Sequence, residues 1–150
     1  MNNLETKLKD IFDKIKKSSS LREINDLNSQ AWDLSRSEEA PTDMEIYRWS
    51  ECLFAAYQRS KEIFREKGRE NLTDKELDLL EKVVDFYQGN ALKLMWGEVP
   101  VWVKKHYKDH NDFNSSAMKD TNEAKSVFRN NYFSKPKKAP KQVDIYDERE

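Results

Sequence analysis

His106 and His110 are the only histidines among 150 residues. On a helix, their four-residue spacing sets two imidazoles on one face. With Asp109 beside them, the pair could seed a zinc site. The metalloprotease form of that pattern carries a Glu directly after the first His, to activate the metal-bound water, and here the position is Tyr107. A third ligand would have to be a distant carboxylate. Solvated surface histidines are the favoured reading, which leaves His106 and His110 as weak metal candidates and calls for no cofactor. Cys52 is the single cysteine; beside Leu53 and Phe54 it reads as a small core residue rather than a nucleophile. Glu38 with Glu39, and Asp78 with Glu81, are carboxylate pairs on polar helix faces, without the burial that catalytic carboxylates need to shift their pKa. The chain also lacks a Gly-rich phosphate loop and a nucleophile elbow. It reads as a protein that is not an enzyme.

Charge sorting carries more information. Residues 99–141 hold ten Lys and Arg against four Asp and Glu, a net of +6, inside a chain whose total is −1. Residues 142–150 reverse this, with one Arg against four acids. Fields act over roughly 10 Å at physiological salt, so a basic segment can attract an acidic partner although the whole molecule cannot. Lys104, Lys105, Lys108, Lys125, Arg129, Lys135, Lys137, Lys138 and Lys141 alternate there with Trp102, Tyr107, Phe113, Phe128, Tyr132 and Phe133. Cations that neutralise phosphates, beside rings that stack on bases, suit single-stranded nucleic acid. The mixture equally suits a groove on a protein, and the bland explanation is that the rings dock the last helices while the lysines form their wet side. A single Arg in the segment and an acidic total argue against a dedicated nucleic-acid binder.

The elements that must position these residues are helices. Ser20 with Glu23, Thr42 with Glu45, and Thr73 with Glu76 each have the capping-box spacing. Each precedes an apolar period of 3.6, and an N-terminal helix on Leu4, Leu8, Ile11, Phe12 and Ile15 comes before them. Three glycines and four prolines are too few to punctuate many strands. The reading is all-α: an antiparallel four-helix bundle core over about 3–97, with one or two short C-terminal helices, 99–110 and 120–133, laid against it. Residues 1–133 form one helical domain and 134–150 a flexible charged tail. Gly89-Asn90 should kink the fourth helix, which continues to an end at Gly97–Pro100. Asn111–Ser116 reads as a loop, and Asp120 with Glu123 as the cap of the last helix. The core draws on Leu8, Phe12, Ile15, Ile24, Leu27, Leu53, Phe54, Tyr57, Ile63, Leu80, Val84, Tyr87 and Leu94, and Trp96 and Trp102 fill the corner beside Pro100.

No stretch approaches the roughly 20 apolar residues a membrane span needs, and the N-terminus lacks the apolar run of a signal peptide. With one cysteine, a reducing cytoplasm fits. The functional expectation is a non-enzymatic interaction protein, a small adaptor, regulator or inhibitor docking on a larger protein. The residues expected to carry it are Trp102, Lys104, Lys105, Tyr107, Arg129, Tyr132, Phe133, Lys137 and Lys138. Nucleic-acid binding through the same segment is the alternative. Self-association is left open by the near-heptad spacing of the first two helices, and the acidic end suits folding back on the basic stretch and plain solubilisation equally well.

Overall fold

The computed structural model describes residues 3–37 and 39–134, with 129–134 described by backbone alone. Glu38 and the charged tail from 135 onward lie outside the described residues. Six helices make up the described chain: α1 Asn3–Lys17, α2 Leu21–Ser35, α3 Asp43–Lys67, α4 Asp74–Ala91, α5 Val101–Lys104 and α6 His110–Ser134, with short 3-10 turns at Arg69–Asn71 and Trp96–Glu98. No strand occurs among the described residues. None of these helices is long and apolar enough to cross a membrane.

The capping signals place three of the helix starts. Thr42 Oγ1 accepts from the Glu45 N–H at 3.1 Å while the Glu45 carboxylate accepts from the Thr42 N–H at 2.8 Å. Thr73 and Glu76 repeat the arrangement at 3.1 and 2.9 Å. Each box satisfies two amides that the helix itself leaves without a partner. The Ser20 box is only half made. Ser20 Oγ accepts from the Glu23 N–H, but the Glu23 carboxylate accepts from Ser18 Oγ at 2.6 Å. Gly68 ends α3 with φ of +80°, a conformation that costs a residue with a Cβ.

α3 packs against α1, α2 and α4, and α6 packs chiefly on α4. All the expected core residues are buried except Phe12, which is half-buried against the same cluster. Trp96 and Trp102 pack against it too, as the Pro100 corner requires.

Two boundaries depart from the sequence reading. α4 ends at Ala91 rather than running to 97. Gly89 weakens the helix there, and the Asn90 amide donates to the Phe86 carbonyl at 2.8 Å, a local bond that competes with helix continuation. Leu94 keeps its place in the core from a turn. The second departure is larger: the expected loop Asn111–Ser116 is the first part of the 25-residue helix α6, and the expected helix 99–110 shrinks to α5. Asp109 starts α6. Its Oδ1 accepts from the Asp112 N–H at 2.9 Å and its carbonyl from the Phe113 N–H at 3.0 Å. Asp120 and Glu123 therefore lie inside the helix instead of capping it.

The buried stripe of α6 is Phe113, Ala117, Thr121, Ala124, Val127 and Phe128, so the hydrophobic core is not confined to four helices. Thr121 is fully buried in the middle of that stripe, and its hydroxyl donates back to the Ala117 carbonyl at 2.8 Å while accepting from Gln88 Nε2 at 2.7 Å. Gln88 Oε1 accepts from Lys125, which also pairs with Asp85 at 3.0 Å. This polar seam fixes the register of α6 on α4.

Phe113 decides between the two readings of 111–116. Its replacement by Ala should lower stability by about 3–5 kcal/mol in urea unfolding. A side chain in a solvated loop would change it by no more than about 0.5 kcal/mol.

Candidate functional site

The chain between α4 and α6 is bound to α3 by side chains one turn apart on that helix. The Tyr47 hydroxyl accepts from the Val101 N–H at 3.0 Å, and Ser50 Oγ lies 2.7 Å from the Glu98 carbonyl, to which it donates. Glu51, buried, holds the third point. One carboxylate oxygen accepts from Arg48 at 3.0 Å and the other from the Trp102 indole N–H at 3.3 Å. Pro100 is buried and supplies the carbonyl that begins α5, while Val99 before it is extended, as a residue preceding proline prefers.

Rings complete the attachment. Trp102 lies 6.0 Å from Phe12 and 6.4 Å from Phe54 between centroids, and Tyr107 meets Phe113 edge-on at 5.2 Å. Burial and the nearby carboxylates of Asp120 and Asp112 raise the pKa of Tyr107. Trp96 packs on Phe113 and His110, with the Lys104 ammonium 5.2 Å from its ring centre. His110 Nε2 stands 3.0 Å from the Leu94 carbonyl and donates to it, since a carbonyl only accepts.

These placements revise the sequence candidates. Trp102 and Tyr107 are half-buried anchors of the segment, Lys104 is half-buried over Trp96, and Lys105 is exposed. His106 sits in the turn before α6 and His110 opens the helix, so the two do not share a helical face. Among the described residues, no three His, Cys, Asp or Glu side chains gather as they would around a metal ion. Lys125 is held by Asp85 and Gln88, and Phe113 and Phe128 are core. Arg129, Tyr132 and Phe133 lie on the last turns of α6, with side chains outside the described residues, and Lys137 and Lys138 lie beyond them. At 1.5 Å per residue, Arg129 is about 28 Å along α6 from His110. Among the described residues, Lys104 and Lys105 precede α6 and Arg129 stands near its far end.

No protein-family model, curated protein or solved structure matches the chain.

Two apolar side chains that face solvent were not among the candidates. Met95 is 68% exposed and Val101 67%, the most exposed large apolar residues described. Lys93, Lys105 and Lys108 are exposed alongside them in sequence and make no ion pair among the described residues. The acids of the segment face backbone instead: Glu98 accepts from the Met95 N–H, Asp109 from Asp112, and Asp112 from Lys108 at 2.7 Å. Spacing does not single out Val101, since Val99 and Val103 on either side of it are buried.

Cys52 donates to the Leu8 carbonyl at 3.2 Å, and its thiol is pushed up to about 12, first by burial and then by Glu51 and Asp13. A thiol held protonated in this way is a poor nucleophile at neutral pH. The unfolded chain releases this proton near 9.0, the folded chain near 12, so Cys52 contributes full stability below pH 9 and loses it as pH rises between those values. Across pH 9 to 10, the wild-type chain should lose about 1 kcal/mol more than Cys52→Ala in denaturant titrations. Native protein should resist iodoacetamide at pH 8 and react once unfolded.

Proposed function

We propose that the chain is a non-enzymatic interaction protein, a small adaptor, regulator or inhibitor, that docks on a larger protein through the 93–108 segment. The observation that carries this reading is the exposure of Met95 and Val101 on a segment clamped to α3, its backbone by Tyr47 and Ser50 and its Trp102 indole by Glu51. Apolar side chains on a rigid support lose little entropy on docking, which is the economy of a pre-formed binding surface. The exposed Lys93, Lys105 and Lys108 of the same segment favour an acidic target and speed encounter with it.

Nucleic acid is the second reading, favoured by the same three exposed lysines. It is the weaker one, because Trp102 and Tyr107, the rings best placed to stack on bases, pack against Phe12, Phe54 and Phe113.

The test uses surface positions, since Trp102→Ala would loosen the segment itself. Tagged wild-type, Val101→Asp and Lys105→Glu chains are used to capture partners from a native lysate, with and without nuclease. The expected result is a nuclease-resistant protein whose affinity falls roughly thirtyfold on Val101→Asp, the size of a hot-spot loss, with the melting temperature unchanged. Recovery that depends on nucleic acid, with affinity falling linearly in log salt, would sink the first reading in favour of the second.

A further inference from the structure

We infer that Lys61 is a modification site, a nucleophilic amine that takes the acyl group of a small acyl thioester. The inference goes beyond the docking reading and does not depend on it.

Lys61 lies on α3 four residues after Tyr57, so the two share a face of the helix, and its ammonium stands 4.7 Å from the centre of the Tyr57 ring. That ring is stacked on Tyr87 of α4 at 4.0 Å, with 2° between the planes. Lys61 is half-buried and makes no ion pair among the described residues. Glu62 and Glu66, the acids that follow it on α3, pair with Arg59 instead. Lys125 shows the contrary arrangement: it too is half-buried, but Asp85 and Gln88 hold its charge. A ring face attracts a cation, yet it supplies no full countercharge to replace the lost water.

The charges around Lys61 come from two helices. Burial draws its pKa below the usual lysine value, Asp120 on α6 opposes that fall, and Arg65, one turn further along α3, adds to it. Asp120 also raises the pKa of Tyr87, after burial, Tyr57 and Tyr107, and that of Tyr107, after burial. One carboxylate is thus felt by an amine and two phenols, which gathers Lys61, Tyr87, Tyr107 and Asp120 into a single cluster.

A lysine desolvated beside another cation is the arrangement in which an amine becomes a nucleophile near neutral pH. The ammonium first gives a proton to water. The amine lone pair then attacks the thioester carbonyl carbon; a C–N bond forms as the C–S bond breaks, and the thiolate leaves with the proton that the nitrogen gives up. Nothing is oxidised or reduced. The product is a neutral amide, so the charge that burial disfavours is gone.

The test treats the full chain with a limiting amount of the acetyl thioester of N-acetylcysteamine and follows acetylation of each lysine by mass spectrometry. Lys7 and Lys9, exposed on α1, serve as internal references. At pH 7.5 only about one ordinary lysine in a thousand is neutral, and each unit by which a pKa falls multiplies that fraction about tenfold. Lys61 should react more than about threefold faster than either reference. The ratio should shrink as the pH approaches about 11, where lysines in general have lost their protons. Two exposed charges then separate the amine's chemistry from its mere accessibility. Asp120→Asn should speed Lys61 and Arg65→Gln should slow it, each by roughly twofold, with Lys7 and Lys9 unchanged. Urea unfolding checks that both variants keep the fold. Labelling of Lys61 no faster than the references at pH 7.5 overturns the inference. A ratio that stays constant with pH, or that ignores both charge changes, overturns it as well, since exposure alone would then set the rate.

Discussion

Nine consecutive residues of α3, Trp49 to Tyr57, are buried, and the rest of the architecture follows from that burial. A helix with every face covered needs a neighbour on every side. α1, α2 and α4 supply three, and the remaining side is closed by the segment around Pro100, which Ser50 and Glu51 hold by hydrogen bonds. The run is not wholly apolar. Glu51 brings a carboxylate inside, and an unpaired buried charge costs about 3–5 kcal/mol. Arg48 and the Trp102 indole answer it from two directions, so the same group that makes burial expensive fixes where the segment must sit.

A second polar device does comparable work at the other end of the core. Gln88 on α4 reaches Thr121, Asn122 and Lys125 on α6, while around it Phe64 meets Phe128 and Phe54 meets Phe113 in ring contacts. Apolar contacts alone would tolerate a slide of one helix along another, because they are non-directional. Hydrogen bonds of 2.7 and 2.8 Å do not. The helix that leads into the basic tail is thereby held in one register, and the segment before it is held by α3.

The first four helices were legible because their signals are local and agree with one another: Thr42 and Thr73 announce their helices, and Leu77, Leu80, Val84 and Tyr87 keep period behind them. α6 was legible only in its second half. Its stripe passes through Ala117 and Thr121, one small and one polar, and the Asn and Ser residues around Phe113 have the composition of a loop. The information was still there, since Asp109 and Asp112 have cap spacing. What defeated the reading was that Thr121 satisfies its hydroxyl within its own helix and across to Gln88, a partner 33 residues away. The site was less legible still. Trp102, Tyr107 and Lys104 looked like surface anchors because their residue types recur at interfaces, whereas Glu51 draws Trp102 inward and Trp96 lies beneath Lys104. Aromatic type says a side chain has area to bury; it does not say on what.

The bond between Glu51 and Trp102 also has a consequence in time. A ribosome adding about 5–20 residues per second makes Trp102 some 3–10 s after Glu51. Near the end of that interval α1 to α4 have all been synthesised, yet one flank of α3 is still open and its carboxylate still lacks the indole. That flank closes only when the sequence beyond Pro100 emerges.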